Sequence, residues 1–200
     1  MQSYYFNNEI CEIGIDEAGR GPLLGNVYAA AVQWPQNLIP PDNLIIDSKK
    51  LSKKKRKIAF DWILANIQNY GVGYATNQEI DSINILEATK LAMDRAINNL
   101  SIKPSCLIID GTGWEKKFSN YKVKSIVKGD TKFYSIAAAS ILAKEFHDKH
   151  IEELCSKNEN LDERYNILKN MGYGTKKHID GIKEYGYTSF HRNSFVIKNI

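Results

Sequence analysis

Two of the most apolar stretches in this chain end in acid. CEIGID (11–16) closes on Asp16 and runs straight into Glu17, and SCLIID (105–110) closes on Asp110, followed by Gly111. A third acid, Asp130, follows VKSIVKG and precedes a long apolar helical pattern. A carboxylate at the end of a buried strand destabilises the fold unless it is paired or bound to a metal. Several carboxylates brought together repel one another and raise each other's pKa, so a fold that gathers them needs a cation between them. Oxygen-only ligands favour Mg²⁺ or Mn²⁺. The four histidines (147, 150, 178 and 191) show no spacing around these acids that would suggest zinc. Simpler explanations stay open at this level. Asp16 and Glu17 suit a turn, Asp110 suits a turn before glycine, and Asp130 suits a helix N-cap. Neighbours on a strand point to opposite faces, so Asp16 and Glu17 reach one centre only where the strand ends or bulges.

Around these positions the pattern predicts an α/β fold. CEIGID and VYAAAVQW (27–34) read as strands joined by a Gly-rich turn, with VGYAT (72–76) as a third. SCLIID and KVKSIVK (122–128) read as buried strands. Ser52 is a candidate N-cap for a helix over 53–69 whose face carries Ile58, Trp62, Ile63 and Ile67. A second helix over 86–100, with Leu86, Leu91, Met93, Ile97 and Leu100 in its core stripe, could cross over between parallel strands. A long helix is expected from about 131 to 150, and shorter ones over 158–170 and 176–185. Trp34–Pro41 reads as a loop, and no repeat or linker divides the chain. The expectation is one domain over 1–200, a mixed sheet flanked by helices with a helical C-terminal part from about 150 to 200.

Net charge is only +4, but it is clustered. Lys49, Lys50, Lys53, Lys54, Lys55, Arg56 and Lys57 fall together, and Lys176, Lys177, His178, His191 and Arg192 form a second group. Lysines in a helix's first turn oppose its dipole, so such a run points to an anionic partner. Three scattered cysteines without CxxC spacing suit a reduced, cytoplasmic protein. No apolar run reaches the roughly 20 residues of a membrane span, and MQSYYFNNEI does not resemble a secretory signal.

The motifs also resemble those of a known family. GIDEAGRGPLLGNVYAAAV (14–32), DSKKLS (47–52), ATKLAM (88–93), IIDG (108–111), VKGD (127–130), SIAAASILAK (135–144), GYGTKKH (172–178) and HRNSF (191–195) follow the order of motifs in ribonuclease HII. The resemblance implies a ribonuclease H-like mixed sheet with Asp16, Glu17, Asp110 and Asp130 as catalytic, metal-binding acids. It implies hydrolysis assisted by two Mg²⁺ or Mn²⁺ ions about 4 Å apart, leaving a 3′-hydroxyl and a 5′-phosphate. The substrates would be RNA–DNA hybrids and duplex DNA with embedded ribonucleotides, cut by a monomer without organic cofactor. Gly19, Arg20 and Gly21 would read the 2′-hydroxyl, which distinguishes RNA from DNA. Tyr173 would stack at the sugar beyond it, and Lys49 would contact phosphate. By residue pattern alone, GxG is a tight turn and a Tyr between glycines a loop anchor.

Three departures from the family pattern stand out. Asn170-Met171 occupies the place of a frequent basic pair, His147-Asp148 that of an Arg-Asp pair, and no sliding-clamp-binding tail follows HRNSF. The alternatives are a ribonuclease HIII-like hybrid nuclease, which usually carries GKG and an extra N-terminal domain, or a catalytically silent hybrid-binding protein. A Mg²⁺-dependent small-molecule phosphatase would not need the flanking basic groups. The run Ala137-Ala138-Ala139-Ser140 is read as close packing only.

Overall fold

A computed structural model describes residues 1–6 and 11–197. Its described residues form a five-stranded sheet in the order β3-β2-β1-β4-β5. The strands are β1 Glu12–Ala18, β2 Val27–Val32, β3 Tyr70–Ala75, β4 Cys106–Asp110 and β5 Lys122–Ile126. The first three form an antiparallel meander, and β4 and β5 run parallel to β1. This is the mixed sheet expected from the sequence. Six helices cover and extend it: α1 Lys53–Asn66, α2 Asn77–Asn98, α3 Tyr134–Lys157, α4 Glu159–Tyr165, α5 Ile167–Asn170 and α6 Lys176–Tyr185.

Both faces of the centre are dry. On β2, Val27, Ala29 and Ala31 join Ala88, Ala92, Met93 and Ala96 of α2, while Ala30 and Val32 join α1 and the Ala137–Ala139 run of α3. That alternation is the period-two pattern of a strand buried on both sides. The alanine run of α3 packs as expected. The expectation for β5 was wrong in one respect: it is the sheet's edge, with Lys122 and Lys124 exposed, and lysines there discourage pairing with another chain.

Helix boundaries follow from caps. Ser52 accepts a hydrogen bond from the Lys55 amide and starts α1 as predicted. Its buried residues are Arg56, Ala59 and Ile63, with Ile67 at the C-cap, whereas Ile58 is exposed. The helix expected over 86–100 starts earlier, at a Thr76–Glu79 capping box. It kinks at Asn84 (φ 68°), whose side chain caps the Leu86 and Glu87 amides. Leu86 therefore sits in a first turn and is exposed, while Met93 and Ile97 are core. The C-terminal helices pack on the end of α3 around Leu24, Ile151, Tyr165, Ile167 and Ile182.

Helix α2 lies unusually close to β3. A Cβ on Gly71 would stand 2.1 Å from the Ala96 carbonyl oxygen, and one on Gly73 would stand 2.3 Å from that of Ala92. Both obstacles are backbone and cannot rotate away, so any side chain lifts the helix off the sheet. Gly73→Ala is expected to destabilise the fold by about 3 kcal/mol, at the upper end for overpacking, read as a lower urea midpoint at unchanged m-value.

Candidate active site

The parallel ladder between β1 and β4 ends at Ile15 and Ile109. Past that point β1 is held only by β2, through Asp16–Ala30 and Glu17–Ala29, and β4 only by β5, through Asp110–Ile126. The two strands separate just where each delivers its acid. A cavity of about 470 Å³ opens at the gap, lined by Asp16, Glu17 and Asp110. Parallel partners share a face, so Asp16 and Asp110 leave the sheet together. Glu17 leaves on the other face, and its longer arm reaches the same opening. The acids thus belong to ordered strands, and the turn explanation does not apply to Asp16 and Glu17.

Burial dominates their electrostatics. It pushes the Asp16 carboxyl well above its ordinary pKa, with Glu17 and Asp110 adding repulsion and Ser140 partly opposing. Glu17 is raised chiefly by burial, against the pull of Arg20, whose guanidinium donates to Oε1 at 3.1 Å. Asp110 accepts the Gly129 amide at 2.7 Å. Asp130 is raised by burial first and by Asp110 next. It lies on a one-turn 3₁₀ segment, Gly129–Thr131, entered through Lys128 at φ 54°, and does not itself line the cavity. It is not the cap of α3, because that position belongs to Phe133.

The donor set fits a hard divalent cation. Every candidate ligand is a carboxylate oxygen, and Glu17 Oε2 is buried without any hydrogen-bond partner. Among the described residues, no three His, Cys, Asp or Glu side chains are already drawn into a metal-holding group.

Gly19, Arg20, Gly21, Lys49 and Tyr173 all line the same cavity. Gly19 has φ 86° and lies over His147, so that a Cβ there would meet the imidazole at 2.4 Å. Three polar or charged lining residues were not anticipated: Ser48, Ser140 and Lys144. Ser48 and Ser140 hydroxyls share a hydrogen bond of 3.0 Å. Lys144 is held by Asp148 at 2.7 Å. Ser140 and Lys144 stand four apart on α3, the spacing that puts two side chains on one helix face. Ser140 therefore does more than permit close packing.

Half of the residues in the two basic clusters are paired or buried within the fold. Arg56 is buried between Glu145 (2.5 Å) and Asp148 (2.9 Å), Lys53 pairs with Glu152, and Lys57 with Asp61. His178, His191 and Arg192 are fully buried. Asn170 is buried too, and its side chain and carbonyl hold the amides of Gly172 and Tyr173. Where the family has a basic pair, this chain has a loop anchor. His147 is also buried, with Nδ1 3.1 Å from Asp148 and Nε2 unpartnered.

Comparison with known proteins agrees with this geometry. The family model for Ribonuclease HII matches residues 13–198. A ribonuclease HII of Rickettsia bellii is 50% identical over 182 residues, covering 91% of this chain and 88% of the relative. One from Wolbachia sp. subsp. Brugia malayi is 47% identical, covering 91% and 86%. The crystal structure of the ribonuclease H2 from Pyrococcus horikoshii OT3 superposes with a TM-score of 0.68 at 27% identity, over 92% of this chain and 93% of that one.

The raised carboxyls imply that the site opposes stability. In the metal-free protein the charged form of Asp16 is disfavoured by folding, so its penalty is absent below the unfolded pKa of about 3.9 and grows as pH rises through the higher folded value. Asp16→Asn is expected to unfold at a higher temperature than wild type in EDTA at about pH 7.5, and the gap should close below about pH 4. Paired thermal melts check this; a lower melting temperature at neutral pH would contradict the account.

Proposed function

This chain belongs to the ribonuclease HII family and acts on the RNA of RNA–DNA hybrids, and from that premise we propose that it also incises duplex DNA on the 5′ side of an embedded ribonucleotide. The observation that carries this reading is one cavity in which Asp16, Glu17 and Asp110 face Gly19-Arg20-Gly21 and Tyr173.

In this reading Asp16, Glu17, Asp110 and Asp130 are the catalytic acids and would hold two Mg²⁺ or Mn²⁺ ions. When bound, such ions make water a better nucleophile and offset charge on the leaving 3′ oxygen. The unpartnered Oε2 of Glu17 is a natural ligand atom, and Asp130 acts from behind Asp110. Arg20 exchanges Glu17 for a substrate phosphate, which it can grip with two parallel N–H groups. Lys49 and Lys144 neutralise flanking phosphates, contacts that position the duplex without reading its sequence. Backbone groups of Gly19 to Gly21 read the 2′-hydroxyl, and the Tyr173 ring, 44% exposed, offers a flat face to the neighbouring sugar. No protein nucleophile is needed. The reading also has the whole chain working as one catalytic domain, as a monomer in the cytoplasm, a setting suited to its free cysteines. No helix among the described residues is long and apolar enough to cross a membrane.

The test is cleavage of a DNA duplex carrying one ribonucleotide, with Mg²⁺, with Mn²⁺ and with EDTA. Cutting is expected only with metal, leaving a 3′-hydroxyl and a 5′-phosphate, and Asp110→Asn should lower kcat by roughly two to three orders of magnitude. Equal cutting in EDTA would refute the role of the metal; activity on long hybrids alone would refute the embedded-ribonucleotide reading. Tyr173→Ala should reduce kcat/KM on the single-ribonucleotide duplex by about ten- to a hundredfold, as stacking on an aromatic ring is worth about 1–3 kcal/mol. Mn²⁺ binding to Tyr173→Ala, followed by calorimetry, should be unchanged.

A further inference from the structure

Arg192 is fully buried and pairs with no carboxylate among the described residues; its guanidinium is spent on backbone. Nε donates to the Gly25 carbonyl (2.8 Å), Nη1 to those of Arg20 (3.0 Å) and Pro22 (2.7 Å), and Nη2 to that of Gly19 (2.6 Å). Four carbonyls of one short turn thus point at one planar fork. In a trans peptide the C=O and the following N–H point in opposite directions. Drawing the Gly19 and Arg20 carbonyls towards Arg192 therefore turns the Arg20 and Gly21 amides away from it. Neither amide meets an acceptor among the described residues.

The residue before it holds the other wall of the cavity. The Thr188 amide, which can only donate, bonds His191 Nδ1 at 2.9 Å. His191 Nε2 must then carry the proton, which it donates to His178 Nε2 at 3.0 Å. His178 Nδ1 in turn carries its own proton and donates to the Tyr173 carbonyl at 3.0 Å. Every imidazole nitrogen has one role, and both rings are neutral. Tyr173 closes the circuit by lying against the turn that Arg192 holds: a Cβ on Gly21 would stand 3.1 Å from its ring. The strap carrying both residues is pinned to α2, where Asn77 donates to the Ser189 and His191 carbonyls and Asp81 accepts from the Asn193 and Ser194 amides.

We propose that His191 and Arg192 are positioning residues for ribose recognition: Arg192 aims the Arg20 and Gly21 amides into the cavity, and His191, through His178, fixes how far Tyr173 stands from them. This deepens, and rests on, the reading of the cavity as a ribonucleotide site.

Three variants separate this from plain stabilisation: Arg192→Lys, His191→Gln, and Ile63→Val, which loosens the core under α1 away from the cavity. Arg192→Lys keeps the charge but not the fork. It is expected to lower kcat on the single-ribonucleotide duplex by about ten- to a hundredfold, the scale of an ångström-sized misplacement. Mn²⁺ affinity should be unchanged, and amide exchange should be faster in 19–25. His191→Gln should speed exchange in 172–175 and lower cutting of the same duplex. Ile63→Val should lower the melting temperature and leave kcat intact. Wild-type kcat and KM in Arg192→Lys, or an equal loss of kcat in Ile63→Val, would overturn the proposal. If Arg192→Lys does not fold, His191→Gln decides by the same measures. A wild type that does not cut this duplex would overturn the functional reading instead; the positioning claim would then stand or fall on the exchange rates alone.

Discussion

The break in pairing between β1 and β4 is the constraint from which the site follows. Two strands that stayed paired would bury their terminal side chains against the helices, where a carboxylate without partners is costly. Because the ladder stops after Ile15 and Ile109, Asp16 and Asp110 emerge into an opening. Because β2 and β5 continue to hold the outer sides, both strands stay ordered up to their acids. Convergence of like charge is thus imposed by the sheet, and the free energy it consumes comes from the apolar core on either face. Such a site is poised for a cation: burial raises Asp16, Glu17 and Asp130, and one oxygen of Glu17 has no partner.

Around the acids, positive charge is divided by depth. Arg56, Glu145, Asp148, Lys144 and His147 form one partly buried network between α1 and α3, which fixes the base of Lys144 beside the cavity. The lysines that reach the cavity are few. A chain whose basic residues look like one long polyanion-binding run therefore keeps its lysines at the surface and spends Arg56 internally. A buried ion pair stabilises little once desolvation is counted, but losing one partner is severe, so Arg56 matters more to the fold than its exposed neighbours.

Strands were readable because their apolar runs are short and bounded by turn residues, and α1 because Ser52 is a good cap. The convergence of Asp16, Glu17 and Asp110 was readable as an electrostatic problem needing a solution. Asp130 was readable as an acid but not as to place: only the turn geometry, with Lys128 left-handed, separates a helix cap from a residue backing Asp110. The first segment of α2 was missed because NQEIDSI carries too few apolar residues to show a period. Its capping box, Thr76 with Glu79, was there to be seen. Charge misled most at Arg56 and at His178, His191 and Arg192. A sequence gives formal charge but not the acceptors that surround it, and the four carbonyls around Arg192 come from a turn about 170 residues away.

Chemistry and recognition are consequently built on different materials. Asp16, Glu17 and Asp110 sit on strands, whose positions are set by ladders and core packing, and Asp130 on the short 3₁₀ segment Gly129–Thr131. The groups proposed to face the ribose sit on turns, which have no ladder and must be held by side chains. A guanidinium suits one turn because it offers several donors in a fixed plane and no acceptor, so carbonyls can face it from several directions without competing for it. A pair of neutral imidazoles suits the other because each passes a directed hydrogen bond through a dry interior at no cost in buried charge. Both devices come from adjacent residues on one strap, so the distance between the two turns is governed by a single stretch of backbone. A site that must separate a 2′-hydroxyl from a hydrogen needs that distance to hold within a fraction of an ångström, and fastening both turns to neighbouring residues achieves it without adding a charge to the cavity.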